Sequence, residues 1–504
     1  MMVPVASFSR GVRVPGRFQE KEMVASRSRA PEFSAGLEWF NVEHPVRLAD
    51  QVGRVVLLVF GTSSSIYCQR VLQDLHVLGR KYRDDLVILS VNTPRYAAER
   101  KRSHVLKAIN KHHIHHALVH DPEKQLWNMY GIKAWPTQVL IDREGLVLGS
   151  MSGDGKLAQL DAVIGNQLEQ TSSLVAVLPA PVIKRCVREA SAALSFPGRI
   201  TTANDRLYVS DSGHNRILVL SLRGDVLRQY GSEAAGFIDG NGSNAAFNNP
   251  QGMTFSGDFL YVADERNHAI RRINIVTGDV DTIAGTGKAG IPLLGHYDVP
   301  VDVGLNSPSD VVLSDSKLYI AMSGLHQVWC LSLVTNTLKL FSGSGKEGLL
   351  DGPATTASYA QPSGLALLFN RLYCIDAGSS AVREVDMETG SVRTVIGEGL
   401  FEYGDNDGSG KVARLQYPLD IHADPEHRML WIADTYNNKI KRIGVNSGYV
   451  SSVAIDCKLD QPGGLAFHDD TLYIANTNAH EIMCLNPNNG HAEALNVSEE
   501  LVEI

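Results

Sequence analysis

One pattern of hydrophobic and polar positions recurs six times in the second half of the chain. Each copy begins with leucine and an aromatic residue, continues through apolar or small residues and usually ends in an acid, at 207–211, 260–264, 318–322, 372–376, 430–434 and 472–476. A β-branched residue follows each copy after six positions, as Ile217, Ile270, Val328, Val382, Ile440 and Ile482. Short strands that recur every ~40–60 residues are typical of β-propellers. The pattern therefore predicts an all-β, six-bladed propeller over 195–497.

Four copies end in an aspartate: Asp211, Asp264, Asp376 and Asp434. A carboxylate at the end of a strand can accept hydrogen bonds from the backbone N–H groups of the following turn. We therefore interpret these aspartates as structural repeat positions, with catalytic or metal-binding carboxylates as the alternative. The predicted inner-strand starts carry no repeated set of histidines or carboxylates, and Asp310 and Asp420 are the only acids there. We accordingly predict neither a metal site nor a cofactor.

The connectors between the copies are rich in glycine, aspartate and asparagine, at 239–242, 351–353 and 405–410. Each leads to an alanine, an aromatic residue or leucine, and then a proline. Together with the recurring phrase, these residues resemble the NHL-repeat family of propellers from position 197 onward. The resemblance implies a ring of loops that binds a protein partner.

The first part of the chain, 33–170, alternates strand and helix patterns. Continuous apolar runs at 54–60 and 86–91 are typical of strands buried on both faces, and 69–83 has helical periodicity. The order predicts an α/β thioredoxin-like domain. Trp135, Pro136 and Thr137 before a strand resemble the cis-proline segment of that fold, which lines a groove for extended peptides. The alternative is that the fold alone retains Pro136.

The remaining segments are predicted to lack a core of their own. Residues 1–32 contain several arginines without an apolar stretch behind them, so we predict a disordered leader rather than a secretory signal, with a transit peptide as the alternative. Residues 171–194 are a predicted linker, and 498–504 a tail.

The loop 60–68 lies where thioredoxin-like proteins keep their Cys-x-x-Cys motif. With the two-domain order, Thr62, Ile66, Cys68 and the phrase at 72–75 resemble the NHL-repeat-containing protein 2 family, whose loop reads approximately W-T-Y-C-C-I-N-C. Ser64 and Ser65 stand where the two leading cysteines of that loop would be. The resemblance therefore implies a degenerate redox site formed by Ser65 and Cys68.

The missing cysteines decide the predicted chemistry. Thiol–disulfide exchange needs an attacking thiolate and a second thiol that resolves the mixed disulfide, and a serine hydroxyl provides neither. Cys68 is expected to be partly buried, either as a small apolar residue or as a lone redox-active or sensor thiol. If the loop keeps thioredoxin geometry, Ser65→Cys is expected to restore disulfide reduction.

Charge restricts the classes of partner. Residues 1–180 contain 22 Lys and Arg against 17 Asp and Glu, so the remaining 25 basic and 38 acidic residues give the propeller portion a net charge of −13. Such an acidic surface argues against nucleic acid. No apolar run is long enough to span a membrane.

The six cysteines form no Cys-x-x-Cys pair, which favours reduced thiols and a cytoplasmic location.

A histidine cluster comprises His112, His113, His115, His116 and His120. We interpret it as a set of solvated surface histidines, with zinc binding as the alternative.

Taken together, the sequence predicts an interaction or scaffold protein that binds protein partners. The competing hypothesis is a thiol-dependent oxidoreductase or redox sensor acting through Cys68. The sequence leaves a small-molecule ligand unknown.

Overall fold

The computed structural model of the protein describes residues 28–169, 180–184, 193–293 and 295–498. The predicted leader 1–32, linker 171–194 and tail 498–504 fall largely outside the described residues. Within the described part, an α/β domain precedes an all-β propeller, which confirms the predicted fold class.

The first domain is built on a six-stranded mixed sheet with the strand order β1-β4-β3-β2-β5-β6. Its strands are β1 (Glu38–Phe40), β2 (Val55–Gly61), β3 (Leu86–Asn92), β4 (Ala117–His120), β5 (Thr137–Ile141) and β6 (Val147–Ser152). Its helices are α1 (Ile66–Tyr82), α2 (Arg102–Lys111), α3 (Gln125–Met129) and α4 (Leu157–Glu169). Strand β3 lies parallel to β2 and β4, whereas β5 is antiparallel to β2.

The central strand β2 explains the layering of this domain. Successive side chains of a strand point to opposite faces. Val56, Leu58 and Phe60 accordingly pack into one buried cluster, and Val55, Leu57 and Val59 into another with Leu75 of α1. Both faces of the sheet are therefore covered, as the continuous apolar run at 54–60 predicts.

The propeller has six blades of four antiparallel strands, in agreement with the sequence prediction. The first three blades consist of Pro197–Ala203, Arg206–Asp211, Arg216–Ser221 and Val226–Tyr230; Pro250–Ser256, Phe259–Asp264, Ala269–Asn274 and Asp279–Ala284; Pro308–Ser314, Lys317–Met322, Gln327–Ser332 and Thr337–Ser342. The other three consist of Pro362–Leu368, Arg371–Asp376, Ala381–Asp386 and Val392–Ile396; Asp420–Asp424, Met429–Asp434, Lys439–Gly444 and Tyr449–Ser452; Gly464–His468, Thr471–Asn476, Glu481–Leu485 and Ala492–Ala494.

Connectors protect the outer edges of three blades. Short strands at Gly240–Asn241, His296–Tyr297 and Gly408–Ser409 pair with the outermost strands of the second, third and fifth blades. An unpaired edge strand invites pairing with another chain, so the added strands remove part of that hazard. Two of the connectors that the sequence analysis singled out, 239–242 and 405–410, therefore supply an edge strand, and 351–353 contributes a single bridge from Gly352 to Val392.

The ring closes between the sixth and first blades without an exchange of strands. Leu495 and Val497, which follow the last strand, pack against the buried cluster of the first blade. The backbone N–H of Val226 donates to the Ser498 hydroxyl over 3.0 Å. Every four-stranded blade is thus built from one continuous segment.

In the described part of the chain, no helix has the length and apolar character needed to cross a membrane.

Candidate functional site

The loop that carries Ser65 and Cys68 lies at the interface between the two domains. It leads from β2 into α1 and faces the propeller surface formed by the turns between the second and third strands of the blades. Ser64 and Ser65 are buried, with 1% and 5% of their surface exposed. The structure therefore places the predicted degenerate redox site inside the molecule.

Ser65 is the N-cap residue of α1. Its hydroxyl accepts a hydrogen bond from the backbone N–H of Cys68 over 3.4 Å, in the manner of a helix-capping serine. Cys68 is buried, not partly buried as the sequence suggested. Burial raises the pKa of the Cys68 thiol to about 11, so only about one thiol in 10⁴ is ionised at neutral pH. This geometry opposes attack by a Cys68 thiolate on an external disulfide.

A buried carboxylate, Glu99, organises the loop. Its Oε2 accepts hydrogen bonds from the Thr62 hydroxyl at 2.6 Å and from two backbone N–H groups at 95 and 96. Its Oε1 accepts from the Ser63 hydroxyl at 2.8 Å and the backbone N–H of Ser64 at 2.9 Å. Burial by itself raises the pKa of Glu99, but the hydrogen bonds donated by the Thr62 hydroxyl and by the backbone N–H groups at 95 and 96 lower it below its usual range. Glu99 is thus a buried anion that orders the loop.

Hydrogen bonds continue from Glu99 into the propeller through Ser63 and His104. Because the Ser63 hydroxyl donates to Glu99, it accepts from Nε2 of His104, 2.8 Å away. Nδ1 of His104 then accepts from the Gln461 side-chain amide at 2.9 Å. Burial lowers the pKa of His104, in keeping with this neutral tautomer. The loop conformation is therefore linked to the sixth blade.

The start of α1 is covered by propeller side chains. The backbone N–H of Ile66, at the first position of the helix, donates to Oε1 of Gln361 over 2.9 Å. The Tyr67 hydroxyl lies 2.7 Å from Nε2 of His326. In a redox-active thioredoxin-like domain this helix terminus faces the substrate disulfide, because the attacking cysteine stands there. Here the propeller occupies that surface.

A second patch of contacts lies after β3. The Tyr96 ring packs against Tyr403, Tyr417 and Tyr436, with ring centroids 5.1 to 5.7 Å apart. The Tyr96 hydroxyl donates to the backbone carbonyl of Gly378 at 2.9 Å. Because aromatic packing and directed hydrogen bonds coincide, this patch fixes the orientation of the first domain on the propeller.

The Trp135–Pro136 peptide bond is cis. Nε1 of Trp135 donates to the Thr93 hydroxyl over 2.7 Å, and the Lys124 ammonium lies over the Trp135 ring. Thr137 is buried, and its hydroxyl donates to the carbonyl of Ala134. Within the described residues, no hydrogen bond, ion pair or ring contact joins 135–137 to the propeller. The segment 135–137 is therefore not held by the propeller through such contacts, and the peptide groove stays a prediction.

The repeated aspartates are buried structural anions. In the second blade, Oδ1 of Asp264 accepts from the backbone N–H of Asn248 at 2.8 Å, and Oδ2 pairs with the buried Arg271 at 2.9 Å. The backbone donor thus comes from the preceding connector, not from the following turn as expected; the turn contributes the Asn267 side chain. The other copies follow the same scheme: Ser195 with Asp211, Ala360 with Asp376, and Gln416 with Asp434. Since each carboxylate ties a connector to its blade, the geometry accounts for them without catalysis.

The histidine cluster differs from its interpretation as solvated surface. His120 is buried, and its ring nitrogens contact the Asn92 amide and the carbonyl of Arg100. Nε2 of His116 lies 2.7 Å from the Ser90 hydroxyl, and burial lowers the pKa of His116 to about 3. The prediction of solvated histidines was wrong because the segment after α2 packs against the end of the sheet instead of lying on the surface. Within the described residues, no group of three or more His, Cys, Asp or Glu side chains could hold a metal ion.

The two inner-strand acids lie in the central channel near an arginine of the first blade. Arg199 pairs with Asp420 at 2.5 Å, and Asp310 accepts from the backbone N–H of Leu365. Burial raises the pKa of Asp310 to about 7. Arg199 also donates to two backbone carbonyls of neighbouring blades, at 419 and 463, so this group joins inner strands across the ring.

Sequence reasoning missed Glu99, His104, Gln361 and Tyr436. Each acts across a long separation in sequence, and periodicity carries no information about such pairs. One signal was available: Tyr436 stands in the turn after a recurring aspartate, where three other blades have glycine. A bulky residue at such a position indicates a contact outside the propeller.

Comparison with known proteins gives consistent matches. A thioredoxin-like family model matches residues 53–147. NHL repeat-containing protein 2 of Gallus gallus is 33% identical over 522 residues, covering 93% of this chain and 72% of that protein. The Homo sapiens protein of the same name is 33% identical and covers 90% of this chain and 69% of that protein. Protein SUPPRESSOR OF QUENCHING 1, chloroplastic, of Arabidopsis thaliana is 34% identical; the match covers 93% of this chain and 48% of that longer protein.

Proposed function

The chain belongs to the family of NHL repeat-containing protein 2, and from that premise we propose that it is an interaction protein without dithiol chemistry. In this proposal the thioredoxin-like domain is a fixed cap on one face of the propeller, and the opposite face binds a protein partner. The observation that carries the proposal is the burial of the Ser65–Cys68 loop under the propeller.

Three properties of the loop support a role other than redox catalysis. The position of the attacking cysteine is Ser65, the remaining thiol is buried with a raised pKa, and Gln361 binds the N–H group at the start of α1. A thiol oxidoreductase needs at least one accessible thiolate. The competing hypothesis, redox sensing through Cys68, would require the two domains to separate first.

A groove on the opposite propeller face offers a docking surface. It lies between the fifth and sixth blades, has a volume of about 350 Å³ and includes the aromatic side chains of Trp431 and Phe467. Its acidic lining residues are Asp424, Glu426, Asp469 and Asp470. Nε1 of Trp431 is buried without a hydrogen-bond partner in the described structure. We call this surface the acidic groove.

The chemistry of the acidic groove favours a basic segment of a protein partner. Carboxylates attract lysine and arginine. The Arg442 guanidinium of this chain already lies over the Trp431 ring, so the exposed carboxylates provide the attraction for a partner. Asp469 is 89% exposed on its side chain, so its charge is available to a partner. The net charge of −13 on the propeller portion supports the same class of partner through long-range attraction. The five described free cysteines fit a reducing compartment, which supports a cytoplasmic location as part of the proposal.

The test measures binding of a fluorescent peptide containing alternating lysine and aromatic residues to the full chain by polarisation. Asp469→Asn with Asp470→Asn should weaken binding about tenfold, and added salt should weaken binding to the wild type. The matched control is the exposed pair Asp84→Asn with Asp85→Asn on the first domain, which should leave affinity unchanged. Absence of saturable binding to the wild type, or equal losses in both double variants, would contradict the docking surface.

A parallel assay addresses the redox alternative. The wild type should show no insulin reduction above background with a dithiol donor, and Cys68→Ser should not alter that result. Turnover by the wild type that Cys68→Ser abolishes would replace the proposal with a monothiol enzyme.

A further inference from the structure

A cavity of about 120 Å³ lies between the first domain and the propeller, next to the covered loop. Its walls come from Ser63 and α2 on one side and from turns and connectors of several blades on the other. Its position on the propeller axis, above Arg199, separates it from the acidic groove on the opposite face. The cavity is lined mainly by polar side chains, which a dry packing void would not require.

Basic groups outnumber acids in this cavity. Arg199 is neutralised by Asp420, and Lys107 by Asp460. Lys111 at the end of α2 and Arg266 in the second blade also line the cavity, and neither side chain has a hydrogen bond or ion pair to any described residue. Glu265 is the one carboxylate among the described lining residues. The lining thus has one more unpaired positive charge than it has carboxylates.

Two buried polar atoms at the cavity also lack partners. They are Nδ1 of His112, adjacent to Lys111, and Oδ1 of Asn478 in the sixth blade. Buried polar atoms in native proteins are nearly always hydrogen-bonded to protein, water or ligand. Together with the unpaired Lys111 and Arg266, they indicate a site that is completed by a bound molecule.

The second blade departs from its own repeat at this position. After the strand-ending residue, four other blades have a hydroxyl that donates to the carbonyl of the proline that begins or precedes the next inner strand: Ser212 to Pro250, Ser323 to Pro362, Thr435 to Pro462 and Thr477 to Pro197. The second blade instead has Glu265 followed by Arg266. A departure that exchanges a structural hydrogen bond for a charged pair facing a cavity is typical of a functional site.

Burying these charges is unfavourable for the empty protein. Burial lowers the pKa of Lys111 to about 8, an effect that Glu265 opposes and Arg266 and Arg199 reinforce. Burial likewise lowers the pKa of Arg266, with Glu265 in opposition. A bound anion would remove this cost because it would neutralise both basic groups.

We propose that the interdomain cavity is a binding site for a small oxyanion, the carboxylate or phosphoryl group of a molecule no larger than a short organic acid, held between Lys111 and Arg266. The planar guanidinium of arginine binds two oxygens of such a group at once, and the lysine ammonium provides a point charge on the opposite side. The ligand therefore bridges the first domain and the second blade.

The experiment uses the full chain in buffer free of multivalent anions. Inorganic phosphate, sulfate, acetate and succinate are each titrated in a thermal unfolding assay and by isothermal calorimetry. At least one of them should raise Tm in a saturable manner, because a ligand that binds only the folded state stabilises it. A response to phosphate and sulfate alone identifies a phosphoryl ligand, and a response to the organic acids identifies a carboxylate.

The test is specific because some variants should weaken anion binding and another should strengthen it. Arg266→Gln and Lys111→Met should each weaken binding about tenfold or more, since each removes a charged hydrogen-bond donor. Glu265→Gln should strengthen binding, because it removes a negative charge that faces the anion. The matched control, Arg223→Gln, neutralises an exposed arginine of the first blade and should change nothing.

The proposal also predicts the direction in which one variant changes the stability of the anion-free protein. Without anion, Lys111→Met should unfold at the same temperature as the wild type or higher, because it removes a partly buried positive charge that has no hydrogen bond or ion pair to a described residue. If no anion gives saturable stabilisation at millimolar concentrations, the site does not exist. The same conclusion follows if Arg266→Gln and Glu265→Gln change the anion affinity no differently from the control Arg223→Gln.

Discussion

The covered loop predicts that Ser65→Cys will not create a working dithiol enzyme in the intact chain. The substitution places a thiol at the N-cap of a 17-residue helix, where the helix dipole favours its thiolate, with Cys68 three positions away. From the sequence alone, this change is expected to restore disulfide reduction. In the structure, however, position 65 is 5% exposed and the propeller covers the adjacent helix start. Access to a substrate would require the two domains to separate.

The hydrogen bonds that cross the interface around the loop give a lower limit for the free-energy cost of separating the two domains. Seven have donor–acceptor distances between 2.7 and 3.0 Å, and they join the pairs Ile66 and Gln361, Ala98 and Gln416, Tyr67 and His326, Tyr96 and Gly378, Arg95 and Gly378, Arg95 and Leu400, and Gln461 and His104. At a net ~1 kcal/mol for each bond, their loss costs about 7 kcal/mol, which corresponds to about one open molecule in 10⁵. Disulfide reduction should be slowed by a similar factor relative to an uncovered site.

The assay is insulin reduction with a dithiol donor, on the wild type, Ser65→Cys, and Ser65→Cys combined with Gln361→Ala. Ser65→Cys should remain near the background of Ser65→Cys with Cys68→Ser. Adding Gln361→Ala should raise the rate about fivefold, since it removes one interface bond of ~1 kcal/mol. Gln229→Ala in the first blade is the matched control and should have no effect. Rapid reduction by Ser65→Cys alone, unaltered by Gln361→Ala, would refute the argument that the propeller blocks the loop.

Three further outcomes are expected. Glu99→Gln should lower the free energy of unfolding by about 3 kcal/mol in urea denaturation, because at least two of the five donors around the carboxylate lose their acceptor; a loss below about 1 kcal/mol would contradict the role given to Glu99. Arg271→Met should cost about 3–5 kcal/mol, because it leaves Asp264 buried and unpaired, and Asp264→Asn should recover part of that loss in the double variant. Burial lowers the pKa of His326 to about 4, so the folded state binds this proton less tightly than the unfolded chain, and stability should fall as pH decreases from about 6.5 to 4. His326→Gln should reduce the slope of unfolding free energy against pH in that window, and an unchanged slope would contradict the prediction.

Local patterns were sufficient to predict the architecture. The phrase ending in Asp264 recurs because every blade has a buried second strand between two neighbours, and this requirement is the same six times. The run at 55–60 is apolar throughout because both faces of β2 are covered. Such constraints act on residues close together in sequence, so periodicity reveals them. The assignment of Ser65 and Cys68 as a degenerate redox pair came from the resemblance of their loop to the NHL-repeat-containing protein 2 family, and it stays a prediction.

The arrangement of the two domains could not be predicted in this way. Ile66 and Gln361 are 295 positions apart, and neither residue type signals a partner. The same limit explains the error on His116 and His120, whose burial depends on how β4 and α2 pack and not on their polar side chains. The sequence also could not show that Lys111 and Arg266 line one cavity, because they belong to different domains.

The serines in the loop have a physical consequence beyond the absence of redox chemistry. The Ser63 hydroxyl donates to Glu99 and accepts from His104, and the Ser65 hydroxyl caps α1. A thiol is a weak donor and a weak acceptor, and at position 63 it could not replace two hydrogen bonds of 2.8 Å. The hydroxyls therefore stabilise the loop in the conformation that the propeller contacts. Of these two residues, only Ser65 stands at a cysteine position of the family's loop, and its hydroxyl caps α1. The link from the loop to the propeller runs through its neighbour Ser63 and His104.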